Sequence, residues 1–224
     1  MVVALTVSQK MMLDQISDTI APHGLAVSGA FLPVSSDVKT LVLLSPSTAF
    51  WSVFTDSPEN ADGLANPIDR WSTRVITALA DDMSARPKFP FGGPPYEPFL
   101  DWAKQLGRAF ASPLGMLVHD TYGMMISYRG ALVFDQIIDL PDQTKPSPCE
   151  TCIDQPCLTA CPVSAITKEN GYDVATCHAY LDSTAGAACM TQACQIRTSC
   201  PVSVAPKREA SHNMLHMRAF KGET

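Results

Sequence analysis

All eight cysteines of this 224-residue chain fall between positions 149 and 200, and none lies in the first 148. They are Cys149, Cys152, Cys157, Cys161, Cys177, Cys189, Cys194 and Cys200. Cysteines used as buried core would scatter along a chain, so this segregation marks a separate module. Such a segment folds around whatever its thiols hold, whether metal or disulfide. The stretch PDQTKPSP (141–148) has three prolines and no large apolar residue, and reads as a linker. The expected organisation is a domain over 1–140, a linker over 141–148, a cysteine-rich module over 149–205 and a tail over 206–224. Met214, Leu215, Met217 and Phe220 would dock that tail on the body.

Cys149-x2-Cys152 puts two thiolates on one tight turn, the basic clamp of a soft-metal site. The run from Cys149 to Cys161-Pro162 nearly follows the C-x2-C-x2-C-x3-C-P spacing of bacterial two-cluster ferredoxins. Its central gap, 153–156, holds four residues in place of two. A longer gap is tolerable because a cluster constrains sulfur positions, not chain length between them. In such ferredoxins the first three cysteines hold one cluster and the fourth crosses to the other. Applied here, Cys149, Cys152, Cys157 and Cys200 would hold one 4Fe–4S cluster. Cys161, Cys177, Cys189 and Cys194 would hold a second, with no thiol left over. The VSAI segment after Pro162 would begin a helix between them. Two zinc sites, or disulfides, are the alternatives, since C-x2-C is equally a zinc-knuckle fragment. The lack of an x2 pair in the second half and the two Cys-Pro closures favour clusters.

The net charge is −6, which argues against nonspecific nucleic-acid binding, because that needs a basic field. The apolar start VVALTV is too short and unflanked for a signal peptide. No apolar run approaches the ~18 residues of a membrane span. The chain therefore reads as cytoplasmic, where thiols stay reduced, with no membrane partner.

The first 140 residues mix helical and extended patterns, which predicts an α+β domain, layered in the α/β manner. Met12, Leu13, Ile16 and Ile20 recur at helical spacing behind a Ser8 cap, and the helix should stop near Pro22 or Gly24. Residues 25–34 and 40–46 read as strands, the second buried on both faces. Asn66-Pro67 opens a helix carrying Ile68, Trp71, Val75 and Leu79 on one face. Residues 86–99 hold five prolines and two glycines and predict an extended loop. A short helix follows, with Phe99, Trp102, Ala103 and Leu106. Residues 114–120 and 124–134 then predict two strands joined by a turn at 121–123.

The cysteine pattern resembles the iron–sulfur module of the epoxyqueuosine reductases and related corrinoid-dependent reductases. The run from Cys149 to Pro162, the sequence Cys177-His-Ala-Tyr-Leu, and Cys194-Gln195 with Cys200-Pro201 carry that likeness. The segment GMLVHDTYGMMISYRGALVF (115–134) is similar to a stretch of the same reductases and of cobalamin-processing reductases. The resemblance implies a nitroreductase-like sheet with flanking helices for 1–140, followed by a ferredoxin-like module. It also implies electron transfer through two 4Fe–4S clusters to a redox partner protein or a small-molecule electron acceptor. A flavin or cobalamin in the N-terminal domain would make the chain a reductase; without one it is an electron carrier.

The extended Gly-Trp-x-Gly-Lys segment of those enzymes is missing here, as is the corrinoid motif D-x-H-x-x-G. Neither a catalytic acid nor a substrate therefore transfers. His119, Tyr128 and Arg129 are the candidate cofactor-binding residues. Their plainer roles are a strand-ending hydrogen bond for His119 and a structural ion pair for Arg129. His178 could act on a cluster from behind Cys177. His212 and His216 read as surface residues.

Overall fold

A computed structural model describes residues 7–33, 38–140, 144–204 and 208–223, with side chains from 13 onward. The apolar start, the side chain of Met12, the end of the first predicted strand and 141–143 of the predicted linker lie outside the described residues. In chain order the first elements are α1 (Val7–Ile20), β1 (Leu25–Phe31), β2 (Thr40–Pro46), α2 (Phe50–Thr55) and α3 (Pro58–Ala61). Then come α4 (Pro67–Asp82), β3 (Arg86–Lys88), α5 (Phe99–Gln105), β4 (Ala109–Ala111), β5 (Leu117–His119) and β6 (Gly130–Phe134). The cysteine-rich part adds β7 (Ile166–Thr167), β8 (Gly171–Tyr172), α6 (Val174–Leu181), α7 (Ala187–Gln192), α8 (Gln195–Ser199) and α9 (Ala210–Lys221). The fold class is α+β.

Two compact units form, one from 1–107 and 127–144, the other from 108–126 and 145–224. The sequence reading kept 108–126 with the N-terminal domain; its contacts group it with the cysteines.

The first unit is built on a four-stranded sheet in the order β1-β2-β6-β3, every pair antiparallel. β2 is central and buried from Thr40 to Ser45, as its unbroken apolar run requires. α1 begins at Val7, one residue ahead of the expected cap, and buries Ile16 and Ile20. It passes into a single tight turn at Ala21–His23 and closes on Gly24, whose φ of 71° is left-handed. α4 buries Ile68, Trp71, Val75 and Leu79, the stripe that the spacing predicts. Trp71 meets Phe50 of α2 edge-on at 5.1 Å, and both rings are fully buried. Asn66 does precede Pro67, but it is left-handed at φ 53° and makes no side-chain cap.

Two expectations change here. Residues 86–99 are not wholly irregular, for Arg86–Lys88 pairs with β6 as the sheet edge. An edge tolerates Pro87, because an imide nitrogen has no hydrogen to give a further strand. Residues 114–120 and 124–134 do not form a two-stranded hairpin. β5 pairs with β4, whereas β6 belongs to the main sheet. The intervening backbone has other partners. Met125 N–H donates to the Tyr122 carbonyl (3.0 Å), and Met124 N–H donates to Ser203 Oγ (2.9 Å).

An ion pair ties α3 to α4. Arg74 grips the nearly buried Glu59 with Nε–Oε1 at 2.5 Å and Nη2–Oε2 at 2.8 Å. That bond draws the Glu59 carboxyl down from 4.5 to about 2, against the opposing pull of burial. A depressed carboxyl stabilises the fold above its unfolded pKa and loses that contribution as pH falls through its folded one. Stability should therefore decline between pH 4.5 and about 2. Glu59→Gln should be less stable at neutral pH and show a flatter acid limb, as urea midpoints measured across that window would reveal.

Candidate metal centre

The second unit gathers all eight cysteines, and all eight are free thiols. The first thiols are set by a turn. Ser147 N–H donates to Glu150 Oε1 (3.3 Å), and the Ser147 hydroxyl accepts from Cys149 N–H (3.3 Å). Cys152 N–H returns to the Cys149 carbonyl at 3.4 Å. The residues added to the ferredoxin spacing then take a sharp bend, with Gln155 left-handed at φ 38°. This leads into a single tight turn at Pro156–Leu158 that buries Cys157. At the far end of the module Cys200 terminates α8 and is also buried.

Cys149, Cys152, Cys157 and Cys200 line one cavity of about 230 Å³. Its walls are otherwise mostly apolar, with Val118 from β5, Met124, Pro148, Pro156 and Pro201 among them. The core beneath joins Cys157 and Cys200 to Leu114, Val118, Met124, Ile166 and Ile196. Segment 108–126 belongs with the cysteines for this reason: it supplies the apolar floor of their cavity. Arg197 Nη1 donates to the Met124 carbonyl (2.8 Å), Arg208 donates to that of Met125, and Ser203 binds the Met124 amide.

The other four thiols come from different elements. Cys161 accepts Ala165 N–H at 3.3 Å. Ser164 is left-handed at φ 51°, so VSAI forms a turn into β7 rather than the start of a helix. Asp173 caps α6 by accepting Thr176 N–H at 2.9 Å, which fixes Cys177 in the helix's first turns. Cys189 is buried on α7, and Cys194 opens α8.

Electrostatics sort the thiols into the same two sets. Burial is the chief cause raising the pKa of Cys149, Cys157, Cys177 and Cys189. Neighbouring thiols add to it. Cys149 is raised by Cys200 and Cys152, and Cys157 by Cys149, Cys152 and Cys200. Cys177 and Cys189 are each raised by Cys194 and Cys161. Every one of these influences stays within a set of four. Among the described residues, no three His, Cys, Asp or Glu side chains stand close enough to share one metal ion.

The soft donors, apolar surroundings and cavity fit a bound iron–sulfur group.

Of the three candidate cofactor residues, His119 belongs to the second unit and Tyr128 and Arg129 to the first. His119 is fully buried, and its Nδ1 accepts the amides of Thr121 (3.0 Å) and Tyr122 (3.4 Å). The same Nδ1 lies 3.0 Å from Asp120 Oδ1. Asp120 also pairs bidentately with Arg108, at 2.8 and 2.9 Å. Arg129 is turned to Asp69 at 3.2 Å, and burial lowers the arginine's pKa and raises the aspartate's. Tyr128 is buried beside it in sequence. His119 and Arg129 thus fill the structural roles open to them. His212 is buried rather than superficial, with its Nε2 3.1 Å from that of His216.

The sequence reading missed the residues behind the sulfurs. Val118 and Met124 line the cavity. Residues 114–120 read as a strand, but nothing in the spacing tied Val118 to the cysteines.

No protein-family model matches this chain, and no curated protein matches it.

Proposed function

We propose that this chain is an iron–sulfur electron-transfer protein with two 4Fe–4S clusters. Cys149, Cys152, Cys157 and Cys200 hold the first; Cys161, Cys177, Cys189 and Cys194 hold the second. One observation carries this reading: Cys149, Cys152, Cys157 and Cys200, supplied from the two ends of the cysteine-rich segment, converge on one largely apolar cavity.

The lack of a C-x2-C pair in the second half and the two Cys-Pro closures, at Cys161 and Cys200, favour a cluster over zinc. When bound, such clusters accept and release single electrons at potentials set by their surroundings. The chain's own residues supply the thiolates, keep water from the first set with proline, valine and methionine, and donate hydrogen bonds to sulfur. Because the pKa values of the empty thiols are raised by burial, loading must displace protons from sulfur.

The partner is a redox protein or a small-molecule electron acceptor. Free thiols in this number suit a reducing, cytoplasmic compartment. Among the described residues no helix is long and apolar enough to cross a membrane. The nitroreductase-like character of the first unit rests on the resemblance of 115–134, and its antiparallel sheet serves as the scaffold.

An EPR spectrum of anaerobically purified protein after dithionite reduction tests the proposal. Two neighbouring reduced clusters should give a magnetically coupled signal. An EPR-silent protein that retains zinc would overturn it.

A further inference from the structure

α9 turns polar side chains inward. Met214, Leu215 and Met217, which the sequence marks for docking, are only half-buried, and Phe220 is exposed. The most deeply buried side chains of the helix are His212 and Asn213, at 3% and 7% exposure. α9 packs on α7, where Asn213 Nδ2 donates to the Gln192 carbonyl at 3.2 Å. Asn213 Oδ1 is buried and has no hydrogen-bond partner among the described residues. Burying polar groups where methionine and leucine are at hand forgoes apolar burial, and such an inversion points to a role other than packing. One turn after His212 comes the half-buried His216, and the two Nε2 atoms face each other at 3.1 Å. Positions four apart share one face of a helix, so the backbone itself holds the two rings side by side, with centres 4.9 Å apart.

We propose that His212 and His216 form a binding site for one divalent transition-metal ion of the nickel, copper or zinc class, separate from the eight cysteines. Imidazole suits such ions. Nitrogens bound at about 2.0–2.1 Å stand about 2.9 Å apart at a right angle and about 3.3 Å apart at the tetrahedral angle. The 3.1 Å between the two Nε2 atoms lies within that range. Without metal the pair shares one proton in an N–H···N contact, and the ion takes that proton's place. No third His, Cys, Asp or Glu among the described residues joins them. Water therefore completes the coordination, and the ion is exchangeable. The two ligands span one turn of α9, so binding holds that turn helical. It thereby stabilises the packing of α9 on α7, the helix that carries Cys189.

The test is a calorimetric titration of the anaerobic, tag-free holoprotein with a nickel(II) salt, alongside His212→Gln and His216→Gln. Nickel is the probe because iron and zinc are the metals that decide the cysteine sites, and loaded clusters leave no free thiol to take it. The parent should bind about one nickel ion per chain. Each substitution removes a direct ligand and should weaken that binding by about 100-fold or more, the upper end of what loss of an outer-shell partner costs. Nickel should also raise the urea midpoint of the parent and leave that of His216→Gln unmoved. No uptake by the parent overturns the inference, and so does uptake that His216→Gln retains at full affinity. Should His212→Gln fail to fold, His216→Gln decides, because that ring is only half-buried. A parent without iron would overturn the two-cluster reading alone. The inference would then still be decided by whether one nickel ion per chain is lost with the histidine.

Discussion

Cys157→Ser, purified without oxygen, should carry about four irons and four sulfides per chain where the parent carries about eight. Cys157 is the choice because it sits at the centre of its set. It is buried, it lines the cavity, and Cys149, Cys152 and Cys200 all act on it. A serine hydroxyl at that position is a harder, far less acidic ligand than a thiol and is poorly matched to iron in a sulfur-rich site. The loss should be confined to one cluster, since the second set neither lines that cavity nor acts on Cys157. The dithionite-reduced protein should accordingly show the signal of one uncoupled cluster. Retention of all eight irons would sink the ligand assignment, and loss of all eight would mean that the two sets do not load independently.

The second large effect concerns a residue that binds nothing. Gly123 adopts φ +54°, and a Cβ there would lie 2.5 Å from both the amide nitrogen and Oγ of Ser203. Gly123→Ala therefore combines a left-handed L-residue with a clash against backbone, roughly 2–5 kcal/mol in all. Ser203 follows Cys200 by three residues and holds the Met124 amide, so the clash pushes on the segment that carries a cluster ligand. Gly115→Ala is the matched control. Its φ is +75°, but nothing lies within 4 Å of the added carbon, so only the conformational cost of about 1–2 kcal/mol applies. Urea unfolding of the three proteins should rank parent, Gly115→Ala, Gly123→Ala in falling stability. Equal midpoints for the two variants would contradict the close approach at Ser203.

Local pattern was readable where one segment settles its own structure. α4 declared itself through Ile68, Trp71, Val75 and Leu79, and β2 through an unbroken apolar run. The Cys-Pro closures at Cys161 and Cys200 carry the crossing rule of two-cluster modules, and the four cysteines this rule assigns to the first set line one cavity. Pairing between distant segments was not legible. Residues 124–129 look extended and apolar, but backbone groups of Met124 and Met125 are taken by Tyr122, Ser203, Arg197 and Arg208, the last three 73 to 83 positions away. No periodicity reports such partners. His119 and Arg129 show the same limit. Their residue types fit a cofactor site, and only geometry reveals that a turn's amides and Asp69 take up those groups.

The most direct measurement is iron, acid-labile sulfide and zinc per chain on protein purified without oxygen. The account predicts about eight irons and eight sulfides with no zinc. Zinc without iron would contradict it and make the cysteine-rich unit a structural zinc module.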